Sequence, residues 1–145
     1  MARYSIAFIW ASLAYFTIGI SLGVVMAIDL SLMGPLRTVH VHLNLLGWVS
    51  MFIFGVAYHV IPRFTGNPLH SPRLADLHVV LANLGLIGMA FGFAIWGPGP
   101  VVAVAGTVQA ISGFAFVYNI ARTLAPPRSR VVDLPLLVPS RPGVQ

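Results

Sequence analysis

Four stretches of this chain are apolar around their whole circumference, roughly Ser5–Ile28, Leu36–Ile61, Leu74–Trp96 and Val101–Leu124. Each is long enough to cross about 30 Å of hydrocarbon as a helix. Asp29, Gly34 and Pro35 turn the chain after the first run, and Pro62 and Arg63 stop the second. Gly97-Pro98-Gly99-Pro100 ends the third, and Pro126-Pro127 ends the fourth. The connections are short, so neighbouring helices should pack antiparallel. The expected fold is an all-α membrane protein, an up-down bundle of four transmembrane helices over residues 1–125. A Pro- and Arg-rich tail follows at 126–145. The first run has no small-residue cleavage site with a soluble body behind it, so it reads as a retained helix and not a signal peptide.

Charge adds orientation. Every cationic side chain except histidine is arginine, and the formal net charge is +5. Arg3 lies at the N-terminus, Arg63 and Arg73 in the second loop, and Arg122, Arg128, Arg130 and Arg141 at the C-terminal end. The first loop has only Arg37, offset by Asp29, and the third loop has none. The positive-inside rule then puts both termini and the middle loop in the cytoplasm. The arginines form no patch interleaved with exposed aromatics, so nucleic acid is not an expected partner; membrane lipid is. The chain has no cysteine. That excludes disulfides, iron–sulfur clusters and thiolate-ligated haem.

Chemistry concentrates at His40 and His42, which open the second run. An ionisable or metal-binding side chain inside a bilayer is a functional candidate by default. Two residues apart on a helix, their rings point to roughly opposite sides and serve two different neighbours. Zinc pairs on a helix use spacings that share a face, so this spacing suits haem better than zinc. Haem ligation, a copper or zinc site, and plain helix-end histidines facing headgroups all remain open. Asn44, Thr38 or a backbone carbonyl would orient each ring. Arg37 precedes the pair and suits a haem propionate; Trp48 follows it and suits packing on a porphyrin. His59 lies about 25 Å further along the same helix, so it shares no metal with His42. His59 and His78, on either side of the middle loop, are candidates for a second metal or haem site near the inner face. Asp76 reads as a cap of the third helix that balances Arg73. Gly19 and Gly23, Gly88 and Gly92, and Gly106 and Gly113 read as small-residue stripes where helices approach closely.

The block from His40-Val41-His42 through Gly47-Trp48, Phe54-Gly55 and Tyr58-His59 to Pro62-Arg63 resembles the tenth helix of the haem-copper oxidase catalytic subunit. The cbb-type oxidases and nitric oxide reductases are most alike. Leu77-His78 resembles the start of the eleventh helix, and Tyr118-Asn119 with Arg122 the end of the twelfth. The first run then matches the ninth. The resemblance implies that His40 ligates a high-spin, gas-binding haem and His42 a low-spin, electron-transferring haem. It also implies that the copper ligands and the second axial histidine lie on helices this sequence does not contain. The propionate-binding arginines between the eleventh and twelfth helices have no counterpart in Trp96–Pro100.

The expected protein is therefore a b-type haem protein without copper. It is expected to serve electron transfer, as a component of an oxidoreductase and not as a complete oxidase on its own. Two alternatives stand beside this: binding or sensing of NO or O2, and a non-catalytic structural or assembly subunit. The other three helices offer no histidine at the level of His40 and His42. A six-coordinate iron there needs Met26, Met33 or a ligand from a second copy, so a homodimer or higher homo-oligomer is expected. The expected location is the inner (cytoplasmic) membrane of a bacterium or archaeon.

Overall fold

The computed structural model describes residues 1–125, so the expected tail at 126–145 lies outside the described residues. Among these residues the fold is all-helical, and four helices are long and apolar enough to cross a membrane. Helix α1 covers Arg3–Ile28. Asp29 ends it and opens a short 3-10 turn, Leu30–Leu32, by accepting hydrogen bonds from Ser31 N at 3.0 Å and Ser31 Oγ at 2.6 Å. Those bonds hold the exposed Asp29 carboxyl below its ordinary range.

The second membrane helix is built from α2 (Met33–His42), a π segment (Leu43–Ser50) and α3 (Met51–Thr65). It starts two residues before Pro35, which the first turn accepts because an N–H there has no helical partner. It also continues past the expected stop at Pro62. The last turns are held by side-chain donors: Arg63 Nη1 reaches His59 O at 3.0 Å and Thr65 Oγ1 reaches Ile61 O at 2.9 Å. Gly66, in the left-handed region at φ 68°, ends it.

Helix α4 covers Pro72–Ile95 and α5 covers Pro100–Leu124, each with Pro in its first turn. Ser71 caps α4 by accepting from Leu74 N at 3.2 Å. Asp76 thus neither caps α4 nor balances Arg73. It lies in the second turn, where Arg3 of α1 reaches it in a two-pronged contact at 2.7 and 3.1 Å.

Helix contacts follow small residues, because lipid gives helices no hydrophobic reason to associate and close packing must do it. Along α1 and the second helix they run in opposite order. Gly55 meets Ser5 and Phe8, Gly47 meets Tyr15, and His40 meets Gly23. The second helix and α4 do the same through Tyr58 with His78, Gly47 with Leu86 and His42 with Phe93. Between α4 and α5, Gly85 lies against the Gln109 backbone, Gly88 against Ala105 and Gly92 against Val102. Gly106 and Gly113 do not act this way: the nearest atom to a Cβ at Gly106 is Met89 Sδ at 3.9 Å, and Gly113 faces open space. Spacing alone does not tell a buried stripe from a lipid-facing one.

The core at the arginine-rich end is an aromatic box. His78 is fully buried among Phe8, Phe54, Tyr58 and Phe116, with ring centroids 4.7–5.8 Å away. Its Nδ1 shares a 3.0 Å hydrogen bond with Tyr58 Oη, and its Nε2 has no partner among the described residues. The middle loop is tied down by α5. Asn119 accepts from Ser71 N and donates to Ser71 O, both at 2.9 Å, and Thr123 Oγ1 accepts from His70 N at 3.1 Å.

Two predictions follow from this packing, both read as unfolding in detergent. A methyl at Gly85 would lie 2.7 Å from Gln109 N, and backbone does not yield, so Gly85→Ala should cost about 1–3 kcal/mol. Gly113→Ala should be neutral or slightly stabilising; equal losses at both sites would contradict the packing described. Tyr58→Phe strands the second His78 nitrogen and should cost about 1–2 kcal/mol. Adding His78→Leu should recover part of that loss, whereas simple additivity would show that the pair is not coupled.

Candidate haem site

His40 and His42 leave the same helix toward different neighbours. His40 turns to α1, where its Nδ1 lies 2.8 Å from the Gly19 carbonyl oxygen. The missing side chain at Gly23 makes room: a Cβ there would stand 3.0 Å from His40 Cε1. Gly19 likewise accommodates Asn44, whose amide would lie 2.6 Å from a Cβ. The Gly19–Gly23 pair is thus the seat of the imidazole and of the Asn44 amide beside it. His42 turns to α4, its ring centroid 5.0 Å from that of Phe93. Its Nδ1 lies 2.8 Å from the carbonyl oxygen of Thr38, one turn back.

These contacts assign the tautomers. A carbonyl oxygen only accepts, so Nδ1 carries the proton in both rings. Asn44 Nδ2 lies 3.4 Å from His40 Nδ1, too far to compete, and donates instead to His40 O at 2.8 Å. In each ring Nε2 makes no hydrogen bond among the described residues, and in the Nδ1–H tautomer it is Nε2 that carries the lone pair. This is the arrangement of a metal-ligating imidazole oriented by a backbone carbonyl.

Trp48 joins His40 in a shallow groove of about 310 Å³ completed by Val41, Asn44, Leu45 and Val49. The indole packs on Phe16 with centroids 4.0 Å apart, which fixes it beside the histidine. Apart from His40 and Asn44 the lining is apolar or aromatic, as a porphyrin edge requires. Arg37 is exposed at the same end, one turn before the pair. Met26, weighed as a distal ligand, is buried, and Met33 is exposed. The π segment begins directly after His42; Ser50 Oγ marks its spacing by donating to Leu45 O, five residues back, at 2.9 Å. Such wide turns are frequent at functional sites. Nothing in the hydropathy pattern signals it, and Gly47 at its centre is the one hint.

His59 and His78 have different surroundings. His59 is half-buried beside Arg63, whose Nη1 lies 2.6 Å from its Nδ1. His78 is enclosed in the aromatic box described above. His70 is exposed and meets Tyr118 edge-on at 5.6 Å. Among the described residues no three His, Asp or Glu side chains gather as a metal cluster. Sequence reasoning passed over the buried polar pairings of the bundle, above all Tyr15 Oη donating to Asn83 Oδ1 at 2.8 Å. A tyrosine and an asparagine inside apolar runs were the available signal.

The family described as cytochrome c and quinol oxidase polypeptide I matches residues 3–138. A cytochrome c oxidase subunit 1 homolog of Agrobacterium tumefaciens is 33% identical over 87 residues, 59% of this chain and 16% of the relative. A cbb3-type cytochrome c oxidase subunit of Stutzerimonas stutzeri is 41% identical over 49 residues, 33% of this chain and 10% of the relative. Cytochrome c oxidase subunit 1 of Rhodobacter capsulatus is 38% identical over 58 residues, 39% of this chain and 10% of the relative. The chain thus matches at most 16% of the length of these relatives. With four membrane-length helices and a family match over nearly all its residues, this chain belongs to the cytochrome c and quinol oxidase polypeptide I family and is an integral membrane, redox-related protein.

Proposed function

We propose that this protein binds b-type haem through Nε2 of His40, of His42, or of both, and transfers electrons within a bacterial membrane redox system. The observation that carries the reading is the pair of Nδ1 contacts to Gly19 O and Thr38 O, which orient both rings and leave each Nε2 without a hydrogen bond among the described residues. A haem supplies a one-electron couple whose potential is set by its axial ligands and their hydrogen bonds. The chain's own residues do the rest. Gly19 O and Thr38 O orient the rings, Trp48 and its apolar neighbours would exclude water from the His40 groove, and Arg37 would hold a propionate at the membrane surface. His40 opens toward α1 and His42 toward α4, so the two rings address separate sites and do not sandwich one iron.

The opposed order of contacts along neighbouring helices supports an up-down bundle. The arginine distribution supports an inner-membrane protein with both termini cytoplasmic. His59, His70 and His78 lie toward the other end of the bundle, next to the middle loop. A second histidine for either iron therefore comes from another copy or another chain, and a homodimer or higher homo-oligomer is part of the proposal. The same observation favours a second reading: if no second ligand is supplied, a haem held by His40 would be available to bind NO or O2.

Absorption spectra of the detergent-purified protein, oxidised, dithionite-reduced and reduced under CO, test this for the wild type, His40→Ala and His42→Ala. Sharp reduced bands unmoved by CO and lost with either substitution are expected for electron transfer. A reduced spectrum that shifts with CO selects the gas-binding reading. No haem absorbance after haem-sufficient expression would overturn both and leave a structural subunit.

A further inference from the structure

The bundle end opposite the histidine pair carries a feature that the haem reading does not use. A pocket of about 510 Å³ opens where the second helix ends, lined among others by Tyr4, Tyr58, His59, Arg63, Asn67 and Leu69. No carboxylate lines it among the described residues. Asp76, on α4 at the same end, is already held by Arg3. Arg63 Nη1 is drawn back onto the His59 ring and carbonyl, at 2.6 and 3.0 Å. Its Nε and Nη2 donors make no hydrogen bond among the described residues. The guanidinium is thus positioned by its own helix with donors to spare, on the water side of an apolar segment. A fork of donors in that setting suits a phosphate.

A second groove, of about 260 Å³, lies on the same helix and is wholly apolar; Phe52, Ile53, Val56, Val60 and Ile61 line most of it. Phe52, Val56, His59 and Arg63 follow one another at steps of three or four residues, so one helical ridge links groove to pocket. Phe52 and Ile53 are exposed, as expected for a surface that an acyl chain covers. The charge complementarity of the pocket and the apolar groove beside it select the same occupant. We propose that this end of α3 holds one anionic phospholipid, its phosphate on Arg63 and an acyl chain along Phe52–Val60. Anionic lipids attract basic groups at the cytoplasmic face. This site adds a fixed guanidinium and a shaped groove to that general attraction.

Native mass spectrometry of the full chain, with added phosphatidylglycerol or phosphatidylcholine of the same acyl chains, tests the site. The wild type should retain one phosphatidylglycerol in preference to phosphatidylcholine. Arg63→Gln should weaken that retention by about tenfold, the size of one charge-assisted contact. Arg73→Gln, outside the pocket, should leave it unchanged. Val56→Trp, which fills the groove and keeps the charge, should weaken it too, and it reports independently if Arg63→Gln misfolds by circular dichroism. Inorganic phosphate at the same concentration should not displace the lipid. Equal retention of the two lipids would overturn the proposal, as would equal losses for Arg63→Gln and Arg73→Gln. Displacement by phosphate alone would show a free-anion site instead.

Discussion

Hydrocarbon offers no hydrogen bonds, so every polar group carried into it must find its partner inside the protein. That constraint organises this bundle. Tyr15 finds Asn83, Tyr58 finds His78, and Asn119 finds the Ser71 backbone. Each pairing joins two helices, or a helix and a loop, so the polar groups fix which elements are neighbours. The glycines then set how closely they approach. The carbonyl of Gly19 shows both effects. It lies within a helix, yet its second lone pair accepts the His40 Nδ1 proton, because Gly23 leaves space for the ring.

The constraint is not met everywhere: among the described residues Ser5 Oγ, His78 Nε2, Gln109 Oε1 and Ser112 Oγ are buried without a partner, and the histidine pair leaves one nitrogen of each ring free as well. Both rings satisfy one nitrogen with a backbone carbonyl, and in both the other nitrogen is unbonded among the described residues. A ring nitrogen oriented and left unpaired at the edge of a membrane helix suits a metal centre. The wide turns begin directly after the pair, and the glycine seat on α1 holds His40. The opposite end is built differently. There His78 is buried in aromatic packing, while Arg63 keeps unused donors at the water boundary.

Much of this was legible in the sequence. Continuous apolar runs define membrane helices with little ambiguity, and the four expected spans differ from those observed by a few residues at their ends. The divergence of His40 and His42 followed from their spacing, and the family followed from the same block of residues. Other features depend on partners that a linear sequence does not pair. The Arg3–Asp76 contact joins residues 73 positions apart in the sequence, so the nearer Arg73 looked like the partner. Gly106–Gly113 matched the seats at Gly19–Gly23 in composition but receives no close neighbour: a Cβ at Gly106 would have only Met89 Sδ within 4 Å, at 3.9 Å, and one at Gly113 would have none. The π segment is a backbone adjustment with no hydropathy signature. Ligand identity for His59 and His78 is likewise a matter of surroundings and not of spacing.

The proposed haem site requires that His40 and His42 each carry a proton on Nδ1 toward a carbonyl and offer Nε2 to haem iron. Nitrogen NMR of histidine-labelled protein in detergent, without and with added haem, tests it most directly. The account predicts a protonated Nδ1 and a bare Nε2 for both residues before haem. It further predicts that haem perturbs their signals and leaves those of His59, His70 and His78 in place. A proton on Nε2 of His40 and His42, or signals that haem does not move, would contradict it.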